Sequence, residues 1–202
     1  MKRVELFAYP AWHSLSPAMH NAAFEALGIA AHYEAREVPP AELPRVLAEL
    51  REDPEFLGAN VTIPHKEAVV PHLDSLPAEA QAVGAVNTIV RRGGELHGHT
   101  SDVSGFLRAL AELGVAPRGN RVLLLGAGGA ARAVAYGLLV SGAAEVLVHN
   151  RTIDRARRLA ADLSPHGAIR PVLDGDLARE APGADLVVNA TSLGMMRDGV
   201  AL

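Results

Sequence analysis

Residues 122–134 read VLLLGAGGAARAV, in which an apolar run meets a glycine-rich turn and then a run of helix-forming residues. Gly126, Gly128 and Ala131 match the spacing G-x-G-x-x-A of dinucleotide-binding turns. The first glycine permits a tight turn, the second lets the backbone approach a pyrophosphate, and the alanine allows close helix packing. The stretch therefore predicts a strand, a phosphate-binding turn and a helix whose N-terminus faces the phosphates. The predicted cofactor-binding residues of this turn are Gly126, Ala127, Gly128, Gly129 and Ala130.

A glycine-rich turn that only permits packing is the competing interpretation, and the neighbouring sequence argues against it. A second apolar strand, AEVLVHN, occupies residues 144–150, and a predicted helix, RTIDRARRLAADL, follows at residues 151–163. A later strand is predicted within ADLVVNATS, residues 184–192. This order of elements is the context in which the glycine motif binds a dinucleotide.

The residues after the second strand indicate which dinucleotide binds. An NAD-binding unit usually places Asp or Glu there, but this chain has Asn150, Arg151 and Thr152, with Arg155 one turn later. A carboxylate would repel a 2′-phosphate, whereas a guanidinium group can pair with it in a bidentate manner. We therefore expect NADP rather than NAD. Arg157 and its neighbour on the same helix are better explained as solvated charges.

The first half of the chain also alternates strands and helices. A strand at Val4–Ala8 precedes a helix within residues 16–28, for which Ser16 is the predicted N-cap. Helical spacing predicts one buried face on this helix, made by Met19, Ala22, Ala23, Ala26 and Leu27. A second helix is predicted to bury Leu43, Val46, Leu47 and Leu50. A strand ending at Ile63 follows, and then a hairpin with arms Ala85–Val90 and Glu95–His99.

This alternation predicts the α/β class with two domains. We place an α/β substrate-binding and catalytic domain at residues 1–102 and a Rossmann-like NADP-binding domain at residues 103–202. The connecting helix is expected to begin at Val103. Because a dinucleotide-binding module does not choose a substrate, substrate recognition is expected in the first domain.

Composition excludes several functional classes. The chain has 202 residues, a net charge of −4 and no Cys, and it shows no basic cluster of the kind that nucleic-acid binding needs. It also lacks paired His ligands for a metal and a run of about 18 apolar residues that could span a membrane. The start MKRVELFAYPAWHS reaches Pro10 without a signal-peptide pattern, so a cytoplasmic protein with a small-molecule substrate is expected. A homodimer stays open.

Four polar segments stand at the ends of predicted elements: HSLSP, NVTIPHK, GAVNT and GHTSD. Each has a structural explanation, since Ser16 could cap a helix, Asn87 could bond to backbone and Asp102 could cap the next helix. Lys66 could be a solvated lysine. It could also need a compensating carboxylate such as Asp102, because a helix dipole disfavours a cation near the N-terminus. The residues alone leave both interpretations open.

Seven motifs in a fixed order resemble the shikimate dehydrogenases, the NADP-dependent enzymes of aromatic amino-acid biosynthesis. The motifs are HSLSPAMHNAAF, NVTIPHK, GAVNT, GHTSDVSGF, GAGGAARA, NRT and NATSLGM. They extend over nearly the whole chain. A series of seven ordered motifs is far more specific than any one of them.

The resemblance implies hydride transfer between NADPH and 3-dehydroshikimate, giving shikimate. It assigns the substrate carboxylate to Ser14 and Ser16. It assigns further substrate contacts to Asn60, Thr62 and Asn87, and catalysis to the pair Lys66 and Asp102. Thr191, within NATSLGM, is expected at the cofactor. The chemistry agrees, since a protonated Lys66 can stabilise and protonate the ketone oxygen while Asp102 keeps the ammonium charged.

The chain departs from the family pattern in three places. Ala8 stands where the family commonly has Gly before the turn at Pro10, and Thr100 replaces an Asn, which is expected to weaken a hydrogen bond near Asp102. Family members also extend beyond the point matching Leu202, with further strands, a substrate-binding Gln and a C-terminal helix, so the second domain is expected to be incomplete. Two alternatives remain: a quinate and shikimate dehydrogenase that uses NAD, and a fragment that binds NADP without turnover.

Overall fold

A computed structural model describes residues 1–194, 196–197 and 200–201, and for the last four only the backbone. Met195, the last residue of the NATSLGM motif, lies outside the described residues. The chain divides into two compact units, Met1–Ser101 and Asp102–Leu202. The assignment of substrate to the first unit and NADP to the second stays a prediction. No helix in the described part of the chain is long and apolar enough to cross a membrane.

The first unit is built on a five-stranded mixed sheet of order β2-β1-β3-β4-β5. Its strands are β1 (Lys2–Ala8), β2 (Ala31–Glu37), β3 (Phe56–Val61), β4 (Thr88–Arg92) and β5 (Glu95–His99). Strand β1 pairs in parallel with both β2 and β3, and the last two strands are antiparallel additions. The helices are α1 (Ser16–Ala26), α2 (Leu43–Glu52), α3 (His65–Ala68) and α4 (Ala78–Val83), with 3-10 turns at Pro40–Glu42 and Val70–His72.

Helix α2 forms as its periodicity predicts. Its buried residues are the four predicted ones, Leu43, Val46, Leu47 and Leu50. They pack with Phe7 and other apolar residues of the sheet in one hydrophobic core. Here the i, i+3, i+4, i+7 pattern of large side chains gives a single burial solution, and the prediction is confirmed.

Helix α1 does not bury its predicted face. No residue of α1 is buried, and Met19 and Leu27 are 62% and 72% exposed. The helix instead meets β2 through Asn21, which bonds to backbone, and through His20 and Phe24, which contact Tyr33 or its apolar cluster. Alanine spacing misled the prediction, because alanine fits equally well on a buried or an exposed face.

Two strand boundaries also differ from prediction. Strand β3 ends at Val61 rather than at Ile63, and Ile63 is 58% exposed. The first hairpin arm begins at Thr88 rather than Ala85, because residues 85 and 86 approach α3 instead, where the Val86 N–H donates to the Lys66 carbonyl.

The second unit contains a four-stranded parallel sheet of order β8-β7-β6-β9. Its strands are β6 (Arg121–Leu125), β7 (Glu145–His149), β8 (Ile169–Val172) and β9 (Leu186–Asn189), and β10 (Met196–Arg197) and β11 (Val200–Ala201) form a separate pair. Its helices are α5 (Asp102–Glu112), α6 (Gly129–Val140), α7 (Ile153–Leu163) and α8 (Asp174–Glu180), with 3-10 turns at Ser164–His166 and Ala181–Gly183.

The chain leaves β6 toward β7 and β8 and then returns to β9 on the other side of β6, so the strand order reverses at β6. Ligands of open α/β sheets bind outside the carboxyl ends of strands at such a point. The predicted α/β class with a Rossmann-like second part is confirmed.

Candidate functional site

The glycine turn lies at the switch point, between β6 and α6. Gly126 has φ +111°, and a Cβ there would lie 2.8 Å from the Ala190 carbonyl oxygen, so only glycine fits without strain. Gly128 is the N-cap of α6 and has an extended backbone. A Cβ added at Gly128 would meet only the Arg155 guanidinium, at 3.8 Å, so the space beside this backbone is open.

These features fit the phosphates of a dinucleotide. The first N–H groups of α6, including those of Gly129 and Ala130, have no partner within the helix, and the helix dipole favours an anion there. Ala131 is fully buried, as close packing of the helix on the strand requires, and Ala127 is also buried. The turn therefore has the open backbone and the fixed N–H donors that a pyrophosphate needs.

The loop after β7 brings positive charge to this turn. Arg151, Thr152 and Arg155 are exposed, and the Arg155 guanidinium lies beside Gly128. The Asn150 amide donates to the Thr152 carbonyl at 2.9 Å and so fixes the turn into α7. By contrast, Arg157 pairs with Asp154 on the same helix at 3.0 Å, in line with a solvated pair.

The loop after β9 supplies the next wall of the candidate cofactor site. The Thr191 methyl group lies 3.3 Å from a Cβ position at Gly126. The Asn189 side chain accepts hydrogen bonds from the Thr191 N–H at 3.0 Å and from its hydroxyl at 2.6 Å, and donates to the Leu193 carbonyl. The sequence analysis did not name Asn189, although Asn often closes a turn by accepting a hydrogen bond from the backbone N–H two residues later.

In the first unit, the N-terminus of α1 places the two predicted serines. The N-cap is Leu15 rather than Ser16, so the predicted cap is wrong, and Ser16 is the first helical residue. The Ser16 N–H donates to the Ser14 hydroxyl oxygen at 3.2 Å, so Ser14 satisfies a backbone donor of the first turn. Both serines are half-buried. The Ser16 hydroxyl lies near the Tyr33 hydroxyl.

A network of side-chain hydrogen bonds runs across the sheet from Tyr33, which lies near Ser16. The Tyr33 hydroxyl donates to Asn60 Oδ1 at 2.8 Å, and Asn60 Nδ2 points at the Thr88 hydroxyl at 3.5 Å. The Thr88 hydroxyl donates to Asn87 Oδ1 at 2.9 Å. We call the set of residues Ser16, Tyr33, Asn60, Thr88, Asn87 and Ser101 the amide network. It brings together three predicted substrate residues around two that were not predicted, Tyr33 and Thr88.

Asn87 is held from several sides. Its Oδ1 also accepts the Ser101 N–H at 3.1 Å, and its Nδ2 donates to the Ser101 hydroxyl at 2.9 Å. Its backbone N–H donates to the His99 carbonyl and its carbonyl accepts the Val61 N–H. Asn87 does bond to backbone, as its structural explanation holds, but its amide is also fixed in orientation. Such fixed amides suit recognition of a ligand's hydroxyl groups.

Lys66 lies in α3 and is half-buried. Its carbonyl accepts the Val86 N–H at 2.8 Å, which places it next to the Asn87 segment. Half-buried Thr62 precedes this turn, and its N–H donates to the Phe7 carbonyl at 2.9 Å. Asp102, the predicted partner of Lys66, is the half-buried first residue of α5 in the second unit. The pairing of these two residues stays a prediction.

Two titratable groups near these residues remain uncharged at neutral pH. Burial raises the pKa of Tyr33 to about 12, with a smaller opposing effect from the Ser16 hydroxyl. Burial also lowers the pKa of His65, whose ring is fully buried and bonds to the Val38 carbonyl at 2.8 Å. His65 is therefore a neutral core residue. Within the described part of the chain, no group of three or more His, Asp or Glu residues could hold a metal ion.

Comparison with known proteins gives consistent matches over both units. The family model described as the shikimate dehydrogenase substrate binding domain matches residues 6–89. The model described as shikimate / quinate 5-dehydrogenase matches residues 109–196.

Similar proteins of greater length are named shikimate dehydrogenase. The NADP(+)-linked shikimate dehydrogenase of Moorella thermoacetica is 49% identical over 196 residues, which cover 95% of this chain and 66% of that protein. The enzyme of the same name from Salinibacter ruber is 52% identical over 200 residues, covering 96% and 70%. The chain thus spans about two thirds of the length of these relatives. Shikimate 5-dehydrogenase of Thermus thermophilus, solved with NADP(H) and shikimate, has a TM-score of 0.82 and 45% identity, covering 96% of this chain and 70% of that one.

Proposed function

The chain belongs to the shikimate dehydrogenase family, and we propose that it catalyses the reversible, NADP-dependent reduction of 3-dehydroshikimate to shikimate. The observation that carries the proposal is the amide network, which brings Ser16, Asn60 and Asn87 together around the hydroxyl groups of Tyr33 and Thr88. These are three of the five residues that the motifs predict for substrate binding. A set of fixed neutral donors and acceptors suits a polyhydroxylated ring.

The substrate's carboxylate and hydroxyl groups match different parts of the first unit. We assign the carboxylate to Ser14 and Ser16, since hydroxyl groups at a helix N-terminus favour an anion without a cationic side chain. We assign the ring hydroxyls to Asn60, Thr62 and Asn87. Each amide offers donors and an acceptor, so it can bond a hydroxyl in either sense.

For the cofactor, we assign the pyrophosphate to the backbone of the glycine turn, residues 126–130, and the nicotinamide side to the loop of Thr191. The 2′-phosphate is assigned to Arg151 and Arg155, with Asn150 and Thr152 shaping their turn. The bound nicotinamide supplies or accepts the hydride.

Lys66 is the proposed acid–base group. In the reduction, its ammonium group donates a proton to the substrate oxygen as negative charge develops there, and in the oxidation its neutral amine takes the proton back. Asp102 is the proposed partner that favours the charged lysine. Proton transfer by a positioned group typically contributes about 100- to 10,000-fold to the rate.

The test is shikimate oxidation with NADP by this chain, followed by NADPH absorbance. The sequence offers a matched control, because its only two lysines are Lys66 and Lys2, and Lys2 bonds to Pro54 and Glu55 at the surface. Lys66→Met is expected to lower kcat by about 100-fold or more with little change in KM, while Lys2→Met retains activity. A loss confined to KM would show that Lys66 binds substrate but does not catalyse.

The same assay separates the alternatives. Turnover of quinate with NAD at a kcat/KM above that of shikimate with NADP would favour a quinate and shikimate dehydrogenase that uses NAD. Binding of NADPH without oxidation in the presence of 3-dehydroshikimate would indicate a non-catalytic fragment. The cytoplasmic location and a homodimer stay predictions.

A further inference from the structure

Tyr33 is a buried residue with an unusual set of partners for a core tyrosine. It lies in β2 and is 1% exposed. Its ring stacks on His20 with centroids 4.3 Å apart and an angle of 15° between the rings. A buried tyrosine normally finds a partner for its hydroxyl, and here the partner is Asn60, a proposed substrate-binding amide.

The same residue is clamped to α1. Asn21 accepts a hydrogen bond from the Tyr33 N–H and donates one to the Tyr33 carbonyl, both at 2.8 Å. The Ser16 hydroxyl, at the start of the same helix, lies near the Tyr33 hydroxyl. Tyr33 is thus fixed to α1 on one side and bonds to Asn60 on the other.

The single hydroxyl proton of Tyr33 fixes the direction of its hydrogen bond to Asn60. A tyrosine hydroxyl has one proton, and Tyr33 gives it to Asn60 Oδ1, which can only accept. With Oδ1 held by Tyr33, the NH2 group of Asn60 must point the other way, toward Thr88.

We propose that Tyr33 is a positioning residue for substrate binding, which holds the Asn60 amide so that Nδ2 is presented as a donor to an oxygen atom of the substrate. The proposal rests on the proposed function, because it names how one of its binding residues is oriented. A substrate carboxylate that accepts a hydrogen bond from the Ser16 hydroxyl leaves the bond between Tyr33 and Asn60 intact, since Tyr33 is the donor in that bond. The Tyr33 hydroxyl keeps its proton at neutral pH, so it remains the donor to Asn60 there.

The competing role is packing alone, with the ring filling the space between α1 and β2. Tyr33→Phe separates the two, because it keeps the ring and its stack on His20 and removes only the hydroxyl. Tyr136→Phe is the matched control. That tyrosine lies in α6 of the second unit, and its ring contacts His166.

The experiment uses the 202-residue chain and two readouts. The first is the side-chain amide resonance of Asn60 in the ligand-free protein, assigned by its loss in Asn60→Asp. Tyr33→Phe is expected to shift this resonance and to increase the mobility of the Asn60 amide group, whereas Tyr136→Phe leaves both unchanged. The second is a double-mutant cycle on shikimate KM, kcat and Kd with Tyr33→Phe and Asn60→Ala.

Loss of one hydrogen bond predicts that Tyr33→Phe raises the KM and Kd for shikimate about 3- to 10-fold, with KM for NADP unchanged. The double variant should bind shikimate no more weakly than Asn60→Ala alone. Fully additive effects, or an Asn60 resonance and a KM equal to wild type in Tyr33→Phe, would overturn the inference. A wild-type protein that binds no shikimate contradicts the proposed function and the substrate part of the inference, while the resonance still decides whether Tyr33 orients Asn60.

Discussion

Gly128→Ala is predicted to impair cofactor binding without impairing folding. The Gly128 backbone has φ −99° and ψ −174°, which any residue adopts, and the new methyl group would meet only Arg155 at 3.8 Å. An alanine N-cap is somewhat worse than glycine, but alanine also restricts the unfolded chain. These effects oppose each other, so the free energy of unfolding is expected to change by less than about 1 kcal/mol.

Cofactor binding is expected to respond much more strongly. A methyl group at this position occupies the open space through which a pyrophosphate would approach the backbone. The loss of one hydrogen bond to a charged group is worth about 1.5–3 kcal/mol, so the Kd for NADPH should rise about 10- to 150-fold. The measurement is a fluorescence titration with NADPH, together with chemical unfolding of the same variant.

Two further glycines serve as references. Gly175→Ala adds a methyl group that meets nothing within 4 Å, and this variant should match wild type in Kd. Gly126→Ala combines φ +111° with a contact of 2.8 Å to a backbone oxygen, so it should lose stability, by about 1–3 kcal/mol for the backbone conformation alone. Unchanged NADPH affinity in Gly128→Ala, or a loss of stability equal to that of Gly126→Ala, would refute the assignment of the turn to phosphate binding.

Three other predictions concern cofactor choice and stability. Arg151→Ala should reduce the NADP-to-NAD ratio of kcat/KM about 10-fold or more, whereas Arg157→Ala should not; equal ratios in both variants would remove Arg151 from the 2′-phosphate site. Hydrogen bonds from neighbouring arginines lower the pKa of Glu180 from 4.5 to about 2. Its stabilising effect is therefore complete above pH 4.5 and is lost as the pH falls toward 2, so unfolding of Glu180→Gln should depend less on pH in that range, and parallel curves would contradict this. Gly58→Ala places a Cβ 2.2 Å from the Ile89 carbonyl oxygen and should cost about 2 kcal/mol or more by disturbing the pairing of β3 with β4; a wild-type melting temperature would show that the strands can separate cheaply.

The parts of the fold that sequence predicted well are those with one physical solution. In the glycine turn, a positive φ at Gly126 and a short residue at Ala131 are local requirements, so the motif alone implies the strand, turn and helix. The four large residues of α2 likewise can be buried on only one face. Helix α1 has no such constraint, because its small residues fit either environment and its contact with β2 depends on the polar side chain of Asn21.

The candidate site divides in the same way. Ser16, Asn60 and Asn87 belong to contiguous motifs and could be named from sequence, although their mutual bonds could not. Tyr33 is separated from Asn60 by 27 residues and has no local motif, so only the register of the sheet shows that its hydroxyl reaches that amide. The N-cap error at Ser16 arose because either serine of HSLSP could close the first turn of the helix.

Charged side chains are arranged differently at the two ends of the parallel strands in the second unit. Near the amino ends, Arg121 and Arg170 each bond to both Glu145 and Glu180, so every charge in this group of four has two opposite partners. Such a closed network can contribute to stability where isolated surface pairs contribute little.

At the carboxyl ends, the strands lead into Gly126, Asn150 and Asn189, and the charges that follow β7 are the exposed guanidinium groups of Arg151 and Arg155. A carboxylate in place of Asn150 would oppose phosphate binding at these strand ends, because it would repel the anion that the guanidinium groups attract. Residues at the amino ends of the strands can therefore stabilise the fold, while those at the carboxyl ends keep positive charge and open backbone for a ligand. Substitutions at Glu145 or Glu180 should therefore alter unfolding and leave NADPH affinity unchanged, the reverse of the pattern expected for Gly128→Ala.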